Sequence, residues 1–279
     1  MPFAELTDVR CFYQLSGQGD PLVLIPGLGS TSRVWDPVCE ALGNRFSVIR
    51  LDNREIGQSV AKRRPRSVRD YSADLAELFD HLQINRAHLM GLSLGGVIAQ
   101  CFAVEHPQCV SRLVLLSTAD RFGPYLRERI RLVGQSRRWF PKPLFARTME
   151  VLSTGPAALD ANPQRVDERL RELRKQRISG RALGRQLRAL AVSRFEPDEY
   201  RILAPTMVIC GEFDTLIPHC YGRQMATRIE DSRFMMIPDA GHNPISECPE
   251  KVLPEIVRFL QADGLEVDER RTDGSRRVA

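Results

Sequence analysis

At 279 residues, 43% of them hydrophobic and 27% charged, the chain is long enough to bury an ample core, as one large domain or as a domain with an insertion. Its net charge of +5 is modest but uneven: about 19 basic and about 9 acidic residues lie between Arg121 and Arg201. Seven scattered cysteines with no Cys-x-x-Cys pair argue against a disulfide framework and read as free thiols of a reducing cytoplasm, and with five dispersed histidines they give a zinc site little support.

The opening segment, Met1 to Asp8, has neither a basic leader nor an apolar core, and no run approaches 18 apolar residues, so neither secretion nor a membrane span is expected. From there short β-type runs alternate with helical patterns. The strand runs are Val9 to Leu15, Pro21 to Ile25, Phe46 to Leu51, Ala87 to Leu92, Val110 to Ser117, Thr206 to Cys210 and Arg233 to Ile237. Helical periodicity falls at about 35–43, 70–83, 94–106, 219–229 and 249–262, where right-handed crossovers require it. Runs such as Leu22 to Ile25 and Leu113 to Leu116 are apolar throughout, as strands buried on both faces must be. The pattern is α/β, a mostly parallel sheet flanked by helices.

After Ser117 the alternation stops. For some 85 residues the sequence is helical, rich in Arg and Leu, and broken by Pro141, Pro143, Pro156 and Pro163, which reads as an inserted helical cap. The expected organisation is therefore a core of residues 1–120 and 202–263, a cap of residues 121–201, and a frayed polar tail over 264–279.

Chemistry concentrates at Gly91-Leu92-Ser93-Leu94-Gly95, set between a strand and a helix. A serine hydroxyl is a poor nucleophile until a sharp turn lifts it beside a base and unpaired backbone N–H donors, and the flanking glycines allow that turn. The pentapeptide alone is a weak signal; its context is the stronger one. Asp214 follows the run Thr206 to Cys210, and His242 follows the last strand in Pro238-Asp-Ala-Gly-His-Asn-Pro244, so both sit at carboxyl ends of strands, as Ser93 does.

With Ile25-Pro-Gly-Leu-Gly-Ser30, Asp52-Asn-Arg-Glu-Ile-Gly-Gln-Ser59, Gly211-Glu-Phe-Asp214 and Gly241-His242 beside the serine turn, the chain resembles the α/β-hydrolase superfamily over nearly all its length outside the cap and tail. The resemblance implies an eight-stranded-type sheet with a cap. It also implies Ser93 as nucleophile, His242 as general base and later acid, Asp214 as the group orienting the imidazole, and an oxyanion hole from the backbone N–H groups of Leu28 and Leu94. Losing one such donor costs roughly 3 to 4 kcal/mol of transition-state stabilisation. The expected activity is a cofactor-free, Ser-His-Asp hydrolysis of a carboxylic ester, with a small-molecule ester as substrate. Family membership does not separate this from carrier-protein methyl ester hydrolysis, enol-lactone or carbon–carbon bond hydrolysis, cofactor-free haloperoxidase activity, or a non-catalytic receptor on the same fold.

Two positions depart from the family pattern. Pro26 stands where many members have His, and Glu55 replaces the first Gly of the Asp-x-Arg-Gly-x-Gly-x-Ser segment. Glu55 is either a solvated loop residue or a pocket-lining charge that disfavours anionic substrates. Asp120 competes with Asp214 for the role of acid, because it too follows a strand. His81, His88, His106 and His219 read as surface or helix-end histidines, and Trp35 as a core residue or a wall of the acyl pocket.

The basic cap residues Arg169, Arg171, Arg174, Lys175, Arg177, Arg181, Arg185 and Arg188 have two readings. They are a solvated helix face pairing with Glu168 and Glu172, or a surface that docks an acidic acyl carrier protein. Nucleic acid fits poorly, since no aromatic interleaving accompanies them.

Overall fold

In the computed structural model, which describes residues 2–176, 178–193, 195 and 200–262, the apolar runs join in one nine-stranded sheet. Its strands are β1 (Phe3–Glu5), β2 (Val9–Ser16), β3 (Asp20–Ile25), β4 (Phe46–Leu51), β5 (Val60–Ala61), β6 (Ala87–Leu92), β7 (Val110–Leu116), β8 (Thr206–Gly211) and β9 (Ser232–Ile237). The order is β1-β2-β4-β3-β6-β7-β8-β9, with the two-residue β5 pairing on β2. From β4 to β9 every neighbouring pair is parallel, and only the edge built by β1, β2 and β5 is antiparallel.

Successive side chains of a strand point to opposite faces, and the two cores divide on that rule. Val23, Ile25, Leu89, Leu113, Leu115 and Val208 face one core, and Leu22, Leu24, Met90, Val114, Leu116 and Ile209 face the other. Helices α1 (Asp36–Leu42), α2 (Val68–Leu82) and α3 (Leu94–Glu105) lie between the early strands. α2 and α3 cover the first face and α1 the second. Almost all of α3 is buried, so apart from Gln100 its buried residues are apolar or small around the circumference and not merely along one stripe.

Between β7 and β8 the chain runs through α4 (Pro124–Trp139), α5 (Lys142–Ser153), α6 (Pro156–Ala161), α7 (Arg165–Lys175) and α8 (Gly180–Val192). Three of these, α4, α5 and α6, carry Pro at the first or second helical position, where a missing N–H has no intrahelical partner to lose. The core resumes with α9 (His219–Ala226) after β8, then α10 (Pro244–Glu247) and α11 (Pro249–Gln261) after β9. Arg177, the side chain of Lys175 and the tail expected over 264–279 lie outside the described residues.

The reading of His88 needs correction, and the choice left open for Trp35 falls to the core. His88 belongs to β6, is 7% exposed and packs edge-on to Phe46, because strand alternation turns it toward the second core, on the face of Met90, and not to the surface. Trp35 is 1% exposed within the second core, at the end of a short helical turn ahead of α1, so it is a packing residue and not a pocket wall.

Candidate active site

Ser93 occupies the single residue between β6 and α3, at φ 55° and ψ −116°, a combination that L side chains rarely adopt. Its N–H donates to Leu116 O at 2.8 Å and its carbonyl accepts from Thr118 Oγ1 at 2.8 Å, so the β7 end holds the strained residue on both sides. The glycines are steric requirements. A Cβ on Gly91 would run into the Gly95 carbonyl and the Gly96 Cα, and one on Gly95 would run into the carbonyls of Ile25 and Pro26. Ser93 is partly exposed, and its hydroxyl makes no hydrogen bond to the protein among the described residues.

The loop after β3 lies against the serine: a Cβ built on Gly27 would stand 3.4 Å from Ser93 Cβ. Asn53 Nδ2 ties this loop by donating to Pro26 O at 2.9 Å. Leu94 opens α3, so its N–H is one of the first-turn donors without an intrahelical acceptor. Among the described residues neither Leu28 N–H nor Leu94 N–H donates to a protein group.

Asp214 and His242 meet at the ends of β8 and β9. Asp214 Oδ2 lies 2.8 Å from His242 Nδ1, and its side chain is wholly buried while the imidazole remains about one-eighth exposed. The other carboxylate oxygen accepts from Leu216 N and Ile217 N, each at 2.9 Å. Opposite an ionised carboxylate the ring proton belongs on Nδ1, and in the neutral imidazole Nε2 then carries the lone pair. The structure thus brings Asp214 and His242 into contact; it has no hydrogen bond from Ser93 Oγ to His242 among the described residues.

Asp120 does not compete for the imidazole. Both its oxygens accept from Arg228 Nη1, at 2.8 and 2.6 Å, and Arg121 lies 3.8 Å away. Beside it, burial pushes the Tyr200 phenol well above its ordinary range, and its OH donates to Gln100 Oε1 at 2.8 Å. This neighbourhood is a braced polar cluster under α3.

Glu55 is not a solvated loop residue. It sits at φ 66° and pairs with Arg185 Nε at 2.5 Å, both side chains mostly buried, which joins the loop after β4 to α8. Arg185 is therefore engaged within the molecule. Arg169 lies between Glu150 and Glu172, and Arg171 Nε donates to Asp167 O, whereas Arg174, Arg181 and Arg188 are exposed.

Several linking residues were not singled out from sequence. Gln186 Oε1 accepts from Gly29 N at 2.8 Å. His242 N donates to Ser153 O at 2.7 Å. Glu247 Oε2 accepts from Gly155 N at 2.7 Å and Gly241 N at 2.8 Å, and its Oε1 from Asn243 N at 3.2 Å. The helical segment is thereby fastened on one side to the loop of Leu28 and on the other to the loop of His242. Gln186 leaves one sequence trace, since it interrupts the apolar face of α8 formed by Ala182, Leu183, Leu187, Ala189 and Leu190. Among the described residues no cluster of His, Cys, Asp and Glu could hold a metal ion, and no helix is long and apolar enough to cross a membrane.

The sequence profile described as the alpha/beta hydrolase fold matches residues 20–249. An enol-lactonase from Burkholderia xenovorans is 26% identical, covers 94% of this chain and all of its own, and superposes with a TM-score of 0.82. A thermophilic esterase from Thermogutta terrifontis, solved with malate bound, is 29% identical over 90% of this chain and 93% of its own, at a TM-score of 0.77. A Yersinia enterocolitica protein provisionally named a carbamate hydrolase is 29% identical over 83% of this chain and 85% of its own.

Proposed function

The chain belongs to the α/β-hydrolase fold family, and from that premise we propose that it is a serine hydrolase that cleaves a carboxylic ester through an acyl-enzyme, with no cofactor and with the helices between β7 and β8 serving as a cap. The observation that carries this reading is the 2.8 Å pair of Asp214 and His242, with its other carboxylate oxygen satisfied by backbone, on the same sheet edge as the strained Ser93 turn.

Ser93 Oγ attacks the ester carbonyl carbon as His242 Nε2 takes the hydroxyl proton. The carbonyl oxygen becomes an oxyanion and accepts from Leu28 N–H and Leu94 N–H, donors that cost no reorganisation because nothing else holds them. Asp214 stabilises the imidazolium and keeps its tautomer. On collapse the C–O bond to the alcohol breaks, and the imidazolium passes its proton to the leaving oxygen. Water then gives a proton to His242 Nε2 and attacks the acyl carbon, and the acid leaves as Ser93 Oγ recovers its proton. A lactone, being a cyclic ester, is cleaved by the same steps. The seven free thiols support a cytoplasmic site of action.

The test is labelling with a fluorophosphonate together with turnover of short p-nitrophenyl esters and lactones. Adduct formation on Ser93, with turnover abolished in Ser93→Ala, supports the enzyme. Tight ligand binding with neither labelling nor turnover would make the protein a receptor and end this reading.

A further inference from the structure

Helix α8 sends two consecutive side chains to two different loops of the sheet edge. Arg185 reaches Glu55, and Gln186, 1% exposed, reaches Gly29 at the end of the loop that carries Leu28. One turn earlier, Leu183 Cδ1 comes within 3.0 Å of the point where a Cβ on Gly29 would stand, so the helix rests on this loop by packing as well as by hydrogen bonding. Because the loop atom is an N–H donor, the carboxamide must present its oxygen there, which settles which end of the amide faces the loop. Its Nε2 is buried and has no hydrogen-bond partner among the described residues, so the single bond to Gly29 is what orients the side chain.

Resting on the hydrolase reading above, we propose that Gln186 is a positioning residue for the oxyanion hole. By holding Gly29 N–H it fixes the peptide that follows Leu28, and with it the direction of the neighbouring Leu28 N–H. The same bond withdraws Gly29 N–H from the site, so the loop offers one donor in one direction. The oxyanion loop is then complete only while α8 is seated on it, and the cap contributes to the rate of the chemical step as well as to substrate choice.

The experiment compares the wild type with Gln186→Met, which keeps the length and loses the acceptor, and Gln186→Glu, which keeps an acceptor for Gly29 N–H. Turnover of p-nitrophenyl butyrate is read as kcat and KM separately, with the affinity of an alkylboronic acid whose Ser93 adduct puts an oxygen in the same hole. The expected result for Gln186→Met is a kcat lower by about 10- to 100-fold with KM within about twofold, boronate binding weakened by a similar factor, and recovery of most of both in Gln186→Glu. Wild-type kcat in Gln186→Met overturns the proposal, as does a loss that Gln186→Glu does not restore. Hydrogen exchange at Gly29 N–H in the unaltered protein tests the bond without any variant: slow exchange is expected, and exchange at the rate of a free loop amide overturns it. Absence of turnover and labelling in the wild type would instead remove the hydrolase reading itself.

Discussion

The backbone N–H of His242 donates to the carbonyl of Ser153 at 2.7 Å, so the residue that bonds Asp214 through its ring is anchored through its main chain to the end of α5. The imidazole is therefore held from two sides, by the sheet edge and by the helical segment.

Asp214→Asn leaves the shape of the site but replaces the acceptor that holds the proton on Nδ1. The expected outcome is a kcat lower by about 10³- to 10⁴-fold with little change in KM. Steady-state kinetics on a p-nitrophenyl ester measure it, and near wild-type turnover would show that another group orients His242.

Glu247 joins Gly155, Gly241 and Asn243 through their N–H groups. Its replacement by Ala leaves three part-buried donors without this acceptor and loosens the loop that carries His242. We expect a loss of about 2 kcal/mol in urea denaturation and at least a roughly tenfold fall in kcat. Unchanged turnover in Glu247→Ala would mean that the Ser153 bond alone fixes the loop.

The pair of Glu55 and Arg185 is mostly shielded from solvent, at 15% and 17% side-chain exposure. A double-mutant cycle of Glu55→Gln and Arg185→Met is expected to give a coupling of about 1 to 2 kcal/mol that changes little with added salt. Strict additivity of the two substitutions would reduce the contact to surface decoration.

Burial, helped by Arg112 and Arg86 and opposed by Asp20, lowers the pKa of His88 from 6.5 to about 4. The unfolded chain binds that proton more readily, so the contribution of His88 to stability is present above pH 6.5 and is lost as pH falls toward 4. Its size is on the order of 3 kcal/mol. Unfolding free energies measured between pH 4 and 7 should fall more steeply for the wild type than for His88→Leu, and parallel curves would refute the assignment.

Burial also raises the Cys11, Cys101 and Cys210 thiols to about 12, while Cys220 is exposed. An aromatic disulfide reagent should therefore titrate Cys220 rapidly in the folded protein and the three buried thiols only on unfolding. Mass spectrometry of the labelled peptide checks this, and early labelling at Cys210 would contradict the packing of β8.

The sheet was legible because a strand buried on both faces must be apolar throughout, as Leu22 to Ile25 and Leu113 to Leu116 are. The meeting of Asp214 with His242 was legible too, since both follow strand ends that a parallel sheet brings to one edge. β1 and β5 escaped because strands of three and two residues carry too little pattern, and they are fixed by pairing on β2. Glu55 was misjudged for a different reason. A carboxylate in a polar loop looks solvated until the fold returns Arg185 to it from 130 residues away. Gln186 and Glu247 act on backbone N–H groups, those of Gly29 and Gly155 in distant segments, and a backbone donor has no residue type that a sequence could display.

The two fastenings of the helical segment, Gln186 on Gly29 and the Ser153 carbonyl on His242, also bear on how a chimera of this protein should be built. Under the proposed mechanism, a graft of helices from a relative between β7 and β8 that lacks an acceptor at either junction is expected to keep the Asp214–His242 contact and yet to turn over poorly. The transferable unit is the helices together with their two junctions.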